Sequence, residues 1–199
     1  MKRFSLLVAV SLACLLLSAL AAAGQEKRGI EIKPALLVID IQNAYVPHMS
    51  AEDRDTVLEN INKLIALFRE HDLPVIRVYH TDPGKGPEPG TEPFEFPKTV
   101  AIKDSDERVI KNYPSAFKKT DLEKMLHEES CNAVFLCGLS ATGCVLATYY
   151  GARDRDIISV MVEDAVLSPK VSYTRVIEEI CATLTLKEVE DALEEGTVR

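Results

Sequence analysis

Short apolar runs alternate with amphipathic segments along most of the chain. The runs predict buried strands within residues 34–40, 73–81, 106–117, 131–138 and 157–164. The other segments carry apolar residues at helical spacing and predict helices at residues 53–71, 119–129, 143–156, 170–184 and 187–195. Because helices that connect strands produce parallel pairing covered on both faces, this order predicts a Rossmann-like, three-layer α/β/α sandwich with a mostly parallel sheet.

The composition is typical of one soluble domain with a small-molecule partner. The chain has 199 residues, of which 47% are hydrophobic and 27% are charged, and its formal net charge is −8. This charge works against nucleic-acid binding, which needs clustered lysine and arginine to neutralise phosphates. We therefore predict one domain over residues 24–199, a small-molecule substrate and no nucleic-acid partner.

The first 23 residues are typical of a secretory signal peptide. A basic start at Lys2 and Arg3 precedes an apolar run that ends in three alanines, the last of which is Ala23. We expect cleavage after about Ala23, export to the periplasm or the medium, and no membrane attachment afterwards. A retained anchor is the alternative, since the run approaches the roughly 20 residues that span a bilayer. A lipoprotein would need Cys14 as its mature N-terminus, and the residues before Cys14 fit a lipidation site poorly.

Four cysteines remain after such a cleavage: Cys131, Cys137, Cys144 and Cys181. An oxidising compartment would allow a Cys131–Cys137 or a Cys137–Cys181 disulfide. A chain of this length buries an adequate core without such links, and unpaired cysteine is among the most buried residue types. We therefore expect free buried thiols, with the two disulfides as alternatives.

Polar residues follow several of the predicted strands. Asp40 ends the first strand, the segment 79–82 with Tyr79 and His80 ends the second, Lys111 lies at the end of the third, and the segment 138–144 follows the fourth. Ligands of open parallel sheets bind beyond the carboxyl ends of the strands. A carboxylate that closes a buried run must also be paired or neutralised. We therefore expect these residues to meet at one edge of the sheet.

Cys144 is the candidate nucleophile of this edge. Its predicted place at the start of a helix is one where the helix dipole and free N–H groups lower the pKa of a thiol. Asp40 could accept the thiol proton, and Lys111 could supply a cation. Each residue also has a structural interpretation: a small buried side chain at a turn, a buried hydrogen-bond acceptor, and a surface lysine.

Three motifs in this order resemble the isochorismatase-like cysteine hydrolases. They are ALLVIDIQNAYV with its Asp-x-Gln, VIKNYPSAFKKTDLEKML with its Lys and Ser-Ala-Phe, and VFLCGLSATGCVLATYYGARDRD with its Gly-to-Cys spacing. The resemblance covers residues 34–165 and implies the family's α/β/α fold. It also implies Asp40 as general base, Lys111 as the residue that stabilises the thiolate, and Cys144 as nucleophile.

The resemblance implies further features around the cysteine. The family has a cis peptide bond that here would join Leu139 to Ser140, and the N–H groups of Ser140 and Cys144 would form the oxyanion hole. Gln42, Tyr79 and Tyr113 lie in or beside the same motifs and strand ends, which makes them candidates for substrate binding.

The implied reaction is hydrolysis of the C–N bond of a small amide, carbamoyl or ureido compound through a thioester-type intermediate. Nicotinamidases of this family hold a metal through an Asp-x-His motif, whereas this chain has YHTDPG in that region. We therefore predict no metal and no other cofactor. The resemblance also implies a homo-oligomer, either a dimer or a tetramer.

Two alternative functions stay open. The first is a catalytically silent binding protein that retains the pocket. The second is a vinyl-ether hydrolase of isochorismatase type, although true isochorismatases lack the nucleophilic cysteine that this chain has at Cys144.

Overall fold

The computed structural model describes residues 31–196, and from Ile32 onward the chain forms one compact unit. The signal peptide predicted at residues 1–23 lies outside the described residues. Among the helices that are described, none combines the length and the apolar character that crossing a bilayer requires.

Six parallel strands form one sheet in the order β3-β2-β1-β4-β5-β6. They are β1 (Pro34–Ile39), β2 (Val75–His80), β3 (Glu107–Lys111), β4 (Ala133–Leu139), β5 (Ile158–Leu167) and β6 (Thr183–Leu184). The strand order reverses direction at β1 and β4, so the carboxyl ends of these two central strands flank the crevice where open sheets bind ligands.

Helices cover both faces of the sheet. They are α1 (Arg54–Glu70), α2 (Leu122–Glu128), α3 (Leu146–Arg153), α4 (Val171–Ile180) and α5 (Leu186–Glu194), with a short 3₁₀ helix at Val46–His48. One apolar cluster contains side chains of α1 and α5, and a second contains side chains of α2, α3 and α4. The structure therefore confirms the three-layer sandwich.

The central strand β1 shows why the sequence folds in this way. All six of its residues are buried, and alternate side chains enter opposite layers. Leu36 and Val38 join the cluster under α1, whereas Leu37 and Ile39 join the cluster under α3. A continuous apolar run is the pattern that a strand covered on both faces requires.

The C-terminal part of the sheet differs from the predicted boundaries. The helix predicted at residues 170–184 ends at Ile180, and β6 follows it. A strand of only two residues is too short to show alternation. β5 also continues to Leu167, beyond the predicted end at residue 164, because a shift in register lets Val166 pair with Gly138 of β4. The charged pair Glu163 and Asp164 hides this continuation in the sequence.

Gly138 is a position of close backbone contact between β4 and β1. Its φ is +114°, and a Cβ there would overlap the carbonyl oxygen of Ile39 and come within 2.7 Å of the Ile39 nitrogen. We expect Gly138→Ala to lower the free energy of unfolding by about 3 kcal/mol or more. Gly90→Ala is the matched control, since Gly90 also has a positive φ (+85°) but has open space around it.

Urea unfolding of both variants measures the loss in the free energy of unfolding that each substitution causes. Gly90→Ala should cost about 1 kcal/mol, the cost of backbone strain alone. An equal loss of stability in the two variants would show that the β4–β1 contact is not tight.

Candidate active site

Asp40, Lys111 and Cys144 meet at the carboxyl edge of the sheet. Asp40 follows β1, Lys111 is the last residue of β3, and Cys144 lies in the turn after β4. The Nζ atom of Lys111 donates to Oδ2 of Asp40 at 2.7 Å, and the two side chains are 0% and 3% exposed. The sulfur of Cys144 is within 4.8 Å of a carboxylate oxygen of Asp40. The structure thus brings together the three residues that the sequence singled out.

The local backbone directs the Asp40 carboxylate into this edge. Asp40 has a φ of +54°, its N–H donates to the carbonyl of Val78 at 2.9 Å, and its own carbonyl accepts from Gln42 N at 2.7 Å. Its Oδ1 atom is buried and has no hydrogen-bond partner among the described residues. One carboxylate oxygen is therefore engaged by Lys111, and the other is free to accept a proton.

Burial dominates the electrostatics of the site. It raises the pKa of Asp40 above its usual range, and the ammonium group of Lys111 opposes that effect. Burial, followed by the negative charge of Asp40, raises the pKa of Cys144 to about 12, again against the effect of Lys111. The predicted lowering of the Cys144 pKa is therefore wrong, and the thiol form of Cys144 is favoured at rest.

The backbone around Cys144 also differs from the helix start that the sequence predicts. Residues 141–145 form a wide, π-helical turn with a kink at Gly143, and the regular helix α3 begins only at Leu146. Cys144 is therefore not in the first turn of α3, where the dipole acts most strongly. The buried hydroxyl of Thr148 donates to the Cys144 carbonyl at 2.7 Å and accepts from Ala116 N at 3.0 Å. This bridge fixes the turn against the segment that follows Lys111.

The entrance to the turn has the geometry that the resemblance implies. The peptide bond between Leu139 and Ser140 is cis. The carbonyl of Ser140 accepts hydrogen bonds from Gly143 N at 2.9 Å and from Val145 N at 3.3 Å. The oxyanion hole assigned to the N–H groups of Ser140 and Cys144 stays a prediction.

His80 is a further residue of the site. It ends β2, in register with Lys111 of β3, and its Nδ1 atom lies 3.1 Å from the Lys111 Nζ. Burial, followed by the Lys111 charge, lowers the pKa of His80. The strand-end position of His80 predicts that it lies at this edge of the sheet, and the structure adds its contact with Lys111.

Comparison with known proteins identifies the family of the chain. The model of the isochorismatase domain matches residues 34–195. The chain belongs to the isochorismatase family. The uncharacterised isochorismatase family protein YddQ of Bacillus subtilis is 32% identical over 164 residues, which cover 80% of this chain and 82% of YddQ.

Two relatives have names that describe an activity. The maleamate amidohydrolase of Pseudomonas putida is 26% identical over 160 residues, which cover 71% of this chain and 75% of that enzyme. The solved structure of N-carbamoylsarcosine amidase from Thermoplasma acidophilum superposes with a TM-score of 0.66 at 27% identity, over 80% of this chain and 99% of that one. The chain is therefore a hydrolase of the isochorismatase family.

Two of the substrate-binding candidates, Gln42 and Tyr79, are buried. Gln42 is fully buried, and its side-chain amide accepts from His80 N at 2.7 Å and donates to the His80 carbonyl at 3.1 Å. Tyr79 is buried between the rings of Phe94 and Phe96, with centroid distances of 4.8 and 4.6 Å. Neither side chain is exposed in this structure, and the assignment of both to substrate binding stays a prediction.

Tyr113 and Tyr45 lie at more open positions. Tyr113 is half-buried beneath the ammonium groups of Lys118 and Lys119, and a hydrogen bond with Lys119 lowers its pKa. Its role in substrate binding stays a prediction. The ring of Tyr45 is 6.1 Å from that of His80, and burial, followed by the charge of Asp40, raises the Tyr45 pKa to about 12. Tyr45 lies within the first motif and is a further neighbour of the site.

The donor atoms of the site bear on metal binding. Asp40, His80 and Cys144 offer an oxygen, a nitrogen and a sulfur atom that all lie within 4.8 Å of one another. The Lys111 ammonium already contacts two of these three residues, at 2.7 Å and 3.1 Å. The positive charge of Lys111 would repel a metal cation that approached this set of ligands.

The four cysteines of the described residues are free thiols. Cys137 lies within β4, where its thiol donates to the carbonyl of Leu37 at 3.5 Å. Burial raises the pKa of Cys131 to about 11. Neither of the two alternative disulfides is present, and Cys144 is the thiol that shares the sheet edge with Asp40 and Lys111.

Proposed function

We propose that the chain is a cysteine-dependent hydrolase that cleaves the C–N bond of a small amide, carbamoyl or ureido compound. One observation carries the proposal. Asp40 has one oxygen held by Lys111, its other oxygen is buried and has no hydrogen-bond partner among the described residues, and the sulfur of Cys144 lies within 4.8 Å of the carboxylate. A nucleophile with its own proton acceptor and a neighbouring cation is the arrangement that covalent catalysis requires.

The first step is attack by sulfur on the carbonyl carbon. Asp40 takes the thiol proton on Oδ1 as the S–C bond forms, so a free thiolate need not accumulate. This suits a thiol whose pKa is raised to about 12, since the transfer occurs only when the substrate is in place. The negative charge moves to the substrate oxygen, and the N–H groups of Ser140 and Cys144 are the proposed donors to it.

The second step breaks the C–N bond. Asp40 returns its proton to the nitrogen, ammonia or an amine leaves, and a thioester remains on Cys144. A water molecule then gives a proton to Asp40 and attacks the thioester carbon. The acid is released and the thiol recovers its proton from Asp40, so every proton taken by the carboxyl group is returned.

Lys111 has an electrostatic role in both steps. Its ammonium group opposes the rise in the pKa of both Asp40 and Cys144. It therefore stabilises the carboxylate form that must act as a base and the negative charge that develops on sulfur. A fully buried ammonium at 2.7 Å provides this stabilisation without the screening that water would cause.

The relatives support the substrate class. One is named for the amide maleamate, and the solved structure is named for an N-carbamoyl compound. Ammonia release from a panel of primary amides, N-carbamoyl amino acids and ureido acids tests the proposal. Turnover of a panel member is expected. Binding without turnover would favour the binding-protein alternative, and turnover of a vinyl ether alone would favour the isochorismatase-type reaction.

We also propose that the enzyme is exported and acts as a homo-oligomer. The charge and apolar pattern of residues 1–23 supports export, and the family resemblance supports the oligomer. Sequencing the N-terminus of the exported protein tests the first proposal, and light scattering of the purified protein tests the second.

A further inference from the structure

We propose that His80 is a positioning residue that holds the ammonium group of Lys111 between Asp40 and Cys144. The inference rests on the proposed function, in which Lys111 stabilises charge at those two residues. His80 Nδ1 is 3.1 Å from Lys111 Nζ, and Asp40 Oδ2 is 2.7 Å from the same atom. The ammonium is thus held by one acceptor from β1 and one from β2.

The chemistry of the contact fixes the form of the imidazole. A lysine ammonium has three donors and no acceptor, so the Nδ1 atom of His80 must accept from it. The proton of the neutral ring then lies on Nε2. Burial and the adjacent Lys111 both lower the pKa of His80, and this favours the neutral ring that can accept. The other charged groups that act on His80 are Asp40 and Asp82.

Hydrogen bonds from the Gln42 side chain fix the backbone of His80 and so keep its imidazole in place. The side-chain amide of Gln42 binds both the N–H and the carbonyl of His80, at 2.7 and 3.1 Å. Gln42 is fully buried and lies two residues after Asp40. The segment that presents the carboxylate therefore also fixes the base of the imidazole, so both acceptors of Lys111 are set by one loop.

Loss of the imidazole should affect Cys144 through Lys111. Lys111 is buried, so an N–H that loses its acceptor has little water to replace it. The ammonium would shift away from its present position. Because Lys111 opposes the rise in the Cys144 pKa, that shift should reduce the reactivity of the thiol.

The experiment compares three variants by the rate at which iodoacetamide alkylates Cys144, with each peptide followed by mass spectrometry. His80→Asn places an amide oxygen at the position of Nδ1, His80→Gln places one nearer to that of Nε2, and His80→Ala removes both. We expect a roughly tenfold slower rate in the alanine and glutamine variants, from a pKa shift of about one unit. The asparagine variant should recover most of the wild-type rate. Thermal unfolding of each variant checks its fold.

The same substitutions in Lys111→Met test whether His80 acts through Lys111. His80→Ala should then have no additional effect on the labelling rate. A further tenfold loss in that background, or a glutamine variant that is as reactive as the asparagine variant, would overturn the inference. If alanine prevents folding, the asparagine and glutamine variants still decide. Labelling needs no substrate, so this result is independent of whether the amide panel is turned over.

Discussion

Cys144→Ser is expected to reduce ammonia release by a factor on the order of 10⁴ or more. A serine hydroxyl has a higher pKa than a thiol. Asp40 would therefore remove its proton less readily at this half-buried position. The substitution is nearly isosteric, so the fold and the Asp40–Lys111 ion pair should persist. Initial rates on the best panel substrate measure the effect.

Cys181→Ser is the matched control for this variant. Cys181 is also a half-buried free thiol, and its pKa is raised by burial, but it lies at the end of α4. Its substitution should change the rate by no more than about twofold. If Cys144→Ser kept a tenth of the wild-type rate, sulfur would not be the nucleophile.

Asp40→Asn is expected to reduce both turnover and stability. Removal of a general base lowers rates by about 10²- to 10⁴-fold. The amide also leaves the Lys111 ammonium buried without a counter-ion, which costs about 3 kcal/mol in the free energy of unfolding. Initial rates and urea unfolding measure the two effects.

Asp106→Asn is the control that separates the loss of turnover from the loss of stability. Asp106 forms an ion pair with Arg69 at 2.6 Å, and its side chain is only 9% exposed. Its substitution should lower stability and leave turnover close to that of the wild type. A loss of turnover in Asp106→Asn as large as that in Asp40→Asn would mean that stability alone limits the activity measured.

The fold could be predicted from the sequence because the strands that matter most are continuous apolar runs. β1 and β4 are buried along their full length, and such runs between amphipathic helices allow few other arrangements. β6 could not be predicted, since its two residues pair with β5 only because the helix before them ends at Ile180. That end is a property of the packed structure rather than of the local pattern.

Only part of the site could be predicted from the sequence. Asp40, Lys111 and Cys144 follow from strand ends and motifs, because parallel strands place their carboxyl ends together. The contact between His80 and Lys111 depends on the register of β2 against β3, which no single strand encodes. The direction of the Cys144 pKa depends on burial and on the Asp40 charge, and both appear only after packing.

Tyr79 shows what the alternation of a strand adds to the prediction. Successive side chains of a strand point to opposite faces. Since His80 contacts Lys111, the preceding residue points to the other face, where Tyr79 stacks on Phe94. A role of Tyr79 in substrate binding stays a prediction.

The most direct test of the account is the pKa of the Cys144 thiol in Asp40→Asn relative to the wild type, taken from the pH dependence of its alkylation. The Asp40 charge raises the pKa of Cys144, and Lys111 lowers it. Removing the carboxylate while Lys111 remains should therefore lower the pH at which the thiolate forms. This lower pKa should accompany the loss of turnover. An unchanged or higher pKa, or turnover that survives the substitution, would contradict the claim that Asp40 acts on the proton of Cys144.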